Sequence, residues 1–192
     1  MTCESCRDAA CCVLPSTDRF TVPNPGTGLS RKSPRASFFE YNEGRFFITV
    51  CTSMKKHYFG EIHDCEMHLS EIGKFLKNEL ENSKIHHPHI DVPLFVVMPN
   101  HWHAIVIVDT PKDVARCVPT TQQRLINKSI PLLSAFIRSV KSATTKFATA
   151  HQLRFKWQGR FHDHAIRGPE LNKIAEYIEN NIARWSSDCF FD

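Results

Sequence analysis

Phe95-Val-Val-Met-Pro-Asn-His-Trp-His-Ala-Ile-Val-Ile-Val108 is the stretch that decides the fold of this 192-residue chain. Pro99-Asn100 reads as a turn, because proline presets φ and asparagine tolerates the left-handed region. Apolar, β-branched runs flank it, Val92 to Met98 and His101 to Val108, so two strands in succession are predicted. Side chains alternate faces along a strand. His101 and His103 therefore point the same way as Ile105 and Ile107, while Trp102, Ala104, Val106 and Val108 take the opposite face. Two imidazoles at neighbouring positions of one face can hold one divalent ion, and Trp102 between them anchors the strand in the core. Taken alone, such a pair is more often two histidines at a strand end, solvated or satisfied by backbone.

Working outward, Arg45 to Thr52 is β-branched and aromatic and predicts a buried strand. Tyr58 to Ile62 and Glu66 to Leu69 read as short strands of a hairpin around Asp64. Ser70 caps a helix whose apolar positions, Ile72, Phe75, Leu76 and Leu80, follow helical spacing. His86-His87-Pro88-His89 reads as a turn. Downstream, 110–129 is a polar loop, and Pro131 to about Thr149 is a second amphipathic helix. Leu133, Phe136, Ile137, Val140, Thr144 and Phe147 form its buried stripe; Arg138, Lys141 and Thr145 form a polar one. Phe155 to Ile166 is strand-like, and Pro169 opens a last helix running to about Arg184. Strands, helix, strands, helix, strand, helix is an α+β order: a mostly antiparallel sheet with helices packed on it.

The last helix adds a second set of candidates. Leu171, Ile174, Ala175, Ile178, Ile182 and Trp185 fall on one narrow apolar stripe. Tyr177 sits at its flank, and Lys173, Asn181 and Arg184 share that side. Four residues separate Tyr177 from Asn181, so helical spacing makes them neighbours. The common alternative is a tyrosine that covers the core margin with its hydroxyl in water. A second histidine pair, His162 and His164, also alternates onto one face, but Asp163 between them gives no apolar anchor. Phe155, Trp157 and Phe161 interleave with Arg154, Lys156 and Arg160; such a stretch can stack unpaired bases or be an ordinary strand with solvated bases.

Composition narrows the classes. Hydrophobic residues make up 42% and charged residues 23%, enough for a core and against wholesale disorder. No uninterrupted apolar run exceeds six residues, against about 20 for a membrane helix. The N-terminus has no apolar run of signal-peptide type, so an intracellular, reduced protein is expected. The net charge of +4 is uneven: residues 131–185 carry nine basic and four acidic side chains. A basic final third on a near-neutral body points to a polyanion partner. Cys3, Cys6, Cys11 and Cys12 crowd a Pro-punctuated leader, 1–37. Cys3-x-x-Cys6 resembles half of a zinc knuckle, for which the adjacent Cys11-Cys12 is a poor second half; the alternative is a disordered leader with free thiols. The chain thus divides into this leader, a domain over 38–185 and a short tail, 186–192.

Phe95-Val-Val-Met-Pro-Asn-His-Trp-His103 closely resembles the HUH signature of single-tyrosine transposases, above all the REP-associated type. Phe46-Phe-Ile-Thr-Val-Cys-Thr52 and Phe59-Gly-Glu-Ile62 look like that family's opening strands. Leu69-Ser-Glu-Ile-Gly73 and Phe136-Ile-Arg-Ser-Val-Lys141 look like its two helices. Trp157-Gln-Gly-Arg-Phe-His-Asp-His164 and Tyr177-Ile-Glu-Asn-Asn181 look like its closing block. The resemblance implies a ferredoxin-like HUH endonuclease fold. It also implies Mg²⁺ or Mn²⁺ held by His101 and His103, with Asn181 as third ligand and Tyr177 as nucleophile. The partner it implies is single-stranded DNA, with a hairpin; the basic final third offers Arg138, Lys141, Lys173, Arg160 and His164 as its contacts. No nucleotide cofactor is needed, and no G-x-x-x-x-G-K-[ST] loop is present. Some relatives assemble sites across a homodimer. A cytoplasmic, nucleoid-associated location follows. Where the family pattern has Pro, this chain has Ile182, so the helix is expected to continue to Arg184. The same residues also suit an inactive hairpin DNA- or RNA-binding module, or a small metal-binding regulator with the leader as sensor.

Overall fold

Strand β5 (His101–Val108) lies inside a four-stranded sheet of order β4-β5-β1-β6. Its partners are β1 (Gly44–Cys51) on one side and β4 (Ile90–Val97) on the other; β6 (His162–Ala165) lies beyond β1. The computed structural model that shows this describes residues 43–109, 131–187 and 191. The four-cysteine leader and the 110–129 loop lie outside the described residues. Each neighbouring pair in the sheet is antiparallel. β1 and β4 run the same way with β5 inserted between them; β5 and β6 do so around β1. This is the split β-α-β arrangement, the ferredoxin-like order, and the α+β expectation holds. No helix among the described residues is long and apolar enough to cross a membrane.

Between β1 and the first helix the chain makes a hairpin, β2 (Gly60–His63) and β3 (Glu66–Leu69). Asp64 and Cys65 at its tip have φ of 52° and 62°, the left-handed pair that suits the right-handed twist of a two-residue hairpin. Helix α1 (Glu71–Glu81) starts where Ser70 caps it: the Ser70 Oγ accepts from the Gly73 N–H at 3.1 Å and donates to the Tyr58 carbonyl at 2.7 Å. Such a cap contributes about 1 kcal/mol. Residues 86–89 differ in part from the predicted turn. Ser83–His86 forms a short helix, α2, with the turn after it.

Helices α1 and α3 (Leu132–Ala150) cover one sheet face. The core between them is Phe46, Ile48, Val50, Trp102, Ala104 and Val106 from the strands, against Leu76, Leu80, Leu133, Phe136 and Val140 from the helices. Phe147, predicted in the buried stripe of α3, is half-buried and stacks on Phe75 with ring centroids 4.3 Å apart. Ala148 takes the deeper place beside it. The opposite face, which carries His101 and His103, meets the last helix, α4 (Leu171–Glu179), which packs over β4 and β5. β5 is therefore covered on both faces, and His101 to Val106 are all buried.

Three boundaries depart from the sequence reading. β4 begins at Ile90 rather than Val92, and its register against β5 shifts between Asp91 and Leu94. Pro93 lies in that interval and has no N–H for the ladder, which suits a bulge on an edge strand. The strand predicted over Phe155 to Ile166 is reduced to His162–Ala165. Thr49 pairs with His162 and Thr52 bridges to Trp157, so four residues, 158–161, stand opposite two, Val50 and Cys51. The excess leaves the ladder as a bulge. Finally, the last helix stops at Glu179 instead of Arg184. The Asn180 side chain donates to the Glu176 carbonyl at 2.8 Å, competing for the acceptor that its own N–H uses,.

Candidate active site

The register of the sheet assembles the site. Opposed residues of an antiparallel pair project from the same face. Thr49 faces His103 and Cys51 faces His101 across β1 and β5; Thr49 faces His162, and Phe47 faces His164, across β1 and β6. Both predicted histidine pairs thus share one sheet face, two strands apart. His101 and His103 are buried, and their ring centroids are 4.5 Å apart at 70°.

The two imidazoles are held through Nδ1. The Asn100 Oδ1 accepts from His101 Nδ1 at 2.8 Å, and Thr49 Oγ1 lies 2.8 Å from His103 Nδ1. The second ring nitrogen of each, Nε2, is also buried. Burial pushes His101 well below the usual imidazole range, reinforced by His103 and then Lys55. Burial likewise lowers His103 to about 3, opposed by a hydrogen bond with the Ile48 backbone. Both rings are neutral at pH 7, which is the ligating state of histidine.

The final segment closes over them. The Tyr177 ring sits edge-on to His103, with centroids 5.4 Å apart, and to Phe47, 6.1 Å apart. Trp185 stands 6.1 Å from His101 and 5.8 Å from His57. Asn181 lies between these two anchors in the chain. Because α4 ends at Glu179, it does not sit one helical turn beyond Tyr177 on a continuous helix. It lies in a tightened turn, its N–H donating to the Ile178 carbonyl at 3.3 Å. That turn carries the side chain inward: Asn181 is 2% exposed, and its Oδ1 is buried with no hydrogen-bond partner among the described residues. An orphaned buried carbonyl costs free energy, and a cation is one group that would satisfy it.

The residues present fit a divalent ion. Two neutral imidazoles and one amide oxygen suit a borderline to hard cation, and the Nδ1 partners are of the kind that orient ligating histidines. Among the described residues no three His, Cys, Asp or Glu side chains are grouped to hold a metal, so Asn181 would complete the set.

The predicted phosphate contacts divide. Arg138 on α3, Arg160 in the bulge and Lys173 on α4 are exposed. Lys141 is half-buried: its Nζ donates to the Gln158 carbonyl at 2.6 Å, and its own carbonyl accepts from the Trp157 indole at 3.0 Å. Burial lowers its pKa, with Cys51 opposing. Lys141 therefore ties α3 to the bulge. His164 meets the Glu170 carboxylate at 3.2 Å, beside the Arg167 N–H on the same oxygen. Phe155 and Trp157 pack against Phe59, at 5.8 and 5.4 Å between centroids; they serve the core margin. Sequence reasoning took Asn100 only as a turn residue and passed over Thr49. The adjacency of Asn100 to His101 was a usable signal. Thr49 is 54 residues from His103, and only the register joins them.

No family model matches the chain. The fold is shared with a solved protein: a REP-associated tyrosine transposase bound to a REP hairpin superposes over 79% of this chain and 74% of its own, with a TM-score of 0.52 at 19% identity. By sequence the chain is 31% identical over 166 residues to an uncharacterized protein of Haemophilus influenzae, covering 82% of this chain and 91% of that one. The chain belongs to the family of that Haemophilus protein.

Proposed function

We propose that this protein is a metal-dependent enzyme that nicks and transfers single-stranded DNA, in the manner of a single-tyrosine transposase. The observation that carries the reading is the Tyr177 ring set against the buried His101–His103 pair on one sheet face; the buried Asn181 Oδ1 lies in the chain between Tyr177 and Trp185, both of which meet that pair. A hairpin-bearing strand is the favoured partner, since the solved protein of like fold is bound to a REP hairpin.

In this reading His101, His103 and Asn181 hold Mg²⁺ or Mn²⁺, which when bound polarises and orients the scissile phosphate. The Tyr177 phenol oxygen attacks phosphorus, and the bond from phosphorus to the 3′ oxygen breaks. Phosphorus stays on the tyrosine with the 5′ side of the strand; the 3′ oxygen leaves as a hydroxyl after taking up a proton. Attack by a 3′ hydroxyl on the phosphotyrosine reverses the step, rejoins DNA and restores the phenol. No nucleotide is consumed, because the covalent intermediate conserves the phosphodiester. A free tyrosine has a pKa of about 10, so loss of the phenol proton at neutral pH needs help from its surroundings. Exposed Arg138, Arg160 and Lys173 lie within the basic final third of the sequence and would contact the DNA backbone, making affinity fall with salt.

The test is incubation of the full chain with a pool of hairpin-flanked single-stranded DNA and Mg²⁺ or Mn²⁺. A covalent adduct mapping to Tyr177 and lost with EDTA is expected. Absence of any Tyr177-dependent adduct overturns catalysis. Hairpin binding that survives both EDTA and Tyr177→Phe, without an adduct, would make the protein a binding module instead.

A further inference from the structure

Asn100 stands at the junction of the site and the loop that follows β1. It is fully buried. Its backbone carbonyl accepts from the Thr52 N–H at 2.8 Å and from the Thr52 hydroxyl at 2.9 Å. Its side-chain Nδ2 donates to the Lys55 carbonyl at 3.2 Å. That carbonyl is presented by a tight turn, Ser53–Lys55, in which Met54 and Lys55 have φ of 57° and 50°, the left-handed region that non-glycine residues seldom adopt. The Thr52 hydroxyl also reaches the Lys56 carbonyl, at 2.7 Å, and so closes the same turn.

These contacts determine which way the amide faces. Turned over, Asn100 would set its Oδ1 against the Lys55 carbonyl, two acceptors together. With Nδ2 bound to Lys55, Oδ1 faces His101 Nδ1, and a carbonyl oxygen can only accept. The proton must therefore sit on His101 Nδ1, and the lone pair on Nε2. The Thr49 hydroxyl imposes no such choice on His103, because a hydroxyl both donates and accepts.

We propose that Asn100 is a positioning residue of this site: held by Lys55 and Thr52, it locks His101 in the Nδ1–H tautomer and so presents Nε2 as the ligating nitrogen. This rests on the metal reading above. It gives the Ser53–Lys56 turn a purpose, since the turn supplies the acceptor that orients the amide. Fully buried, Asn100 acts through the ring of His101.

The experiment reads the tautomer directly, by long-range proton–nitrogen NMR of the metal-free full chain labelled at histidine nitrogen. Mn²⁺ binding to the same protein is followed by calorimetry. In the wild type His101 is expected as Nδ1–H. Asn100→Ala is expected to release the ring to a mixture of tautomers and to weaken Mn²⁺ binding by about ten- to a hundredfold. Asn100→Asp keeps an acceptor against Nδ1 but sets its second oxygen against the Lys55 carbonyl, so it is expected to restore the tautomer and only part of the affinity. A wild type with His101 as Nε2–H overturns the proposal with no variant needed; so does an Asn100→Ala protein with unchanged tautomer and affinity. A wild type with His101 as Nδ1–H that takes up no Mn²⁺ upholds the role of Asn100 in setting the ring, and overturns the metal reading instead.

Discussion

The Tyr177 ring meets the His103 imidazole edge-on, 5.4 Å between centroids and 65° between planes. A residue near the end of the last helix is thereby brought against a strand residue 74 positions earlier. Phenylalanine at this position keeps the ring contact. Tyr177→Phe should therefore cost far less than opening a core cavity, less than about 2 kcal/mol. Under the proposed chemistry it should abolish the covalent DNA adduct. Mass spectrometry of the reaction and a melting curve check both halves. An adduct that persists in Tyr177→Phe sinks the assignment.

Asn181 predicts a conflict between stability and function. Its buried Oδ1 has no hydrogen-bond partner among the described residues, a penalty of roughly 1–3 kcal/mol. Asn181→Leu, of similar size and apolar, should melt higher than wild type in EDTA. With saturating Mn²⁺ the order should reverse, because a ligand that binds only the native state adds about 2.7 kcal/mol at a hundred times its Kd. Wild-type melting that ignores Mn²⁺ would refute the ligand role.

The pH dependence follows from the buried rings. Burial holds His103 at about 3 and His101 well below the usual range, whereas unfolded histidine titrates near ~6.5. Between those values the unfolded chain binds more protons, so folding stability falls as pH falls. Each such histidine contributes about 1.4 kcal/mol per pH unit across its window. The contribution is complete above about pH 7 and is lost on the way down toward 3. Urea unfolding of metal-free wild type at pH 7, 6, 5 and 4 should show the decline, and His103→Asn should flatten it. Parallel profiles for the two proteins would contradict the burial argument.

Trp102 separates packing from polarity. It is fully buried in the core, yet its Nε1 has no hydrogen-bond partner. Trp102→Ala should cost about 3–5 kcal/mol through the cavity it opens. Trp102→Phe removes the orphaned N–H along with part of the ring, so its cost should stay below about 1.5 kcal/mol. Equal losses in the two variants, measured by denaturant midpoint, would show that the indole N–H matters.

Much of this was legible in the residues themselves. Alternation along His101 to Val108 separates a histidine face from a core face, because side-chain direction in a strand depends only on position. Ser70, Pro99-Asn100 and the apolar stripes of α1 and α3 mark local structure, because caps, turns and amphipathic periods are local physics. The two larger errors of extent have different causes, one non-local and one local. Phe155 to Phe161 has strand composition, but the two-for-four mismatch with β1 expels 158–161 from the ladder. Leu171 to Trp185 keeps helical spacing, but Asn180 turns its side chain back on the helix and ends it early.

The sequence by itself determined the α+β order, the shared face of His101 and His103, and Tyr177 and Asn181 as candidates beside them. Only the tertiary structure decided what those residues meet. Strand register sets Thr49 against His103. Early termination of α4 turns the Asn181 amide inward, and the Lys55 carbonyl aims the Asn100 amide at His101. The reason is the range of the forces: propensity and alternation act over a few residues, whereas register, burial and amide orientation depend on distant partners such as Thr49 and His103, 54 residues apart, which meet only once the sheet has formed.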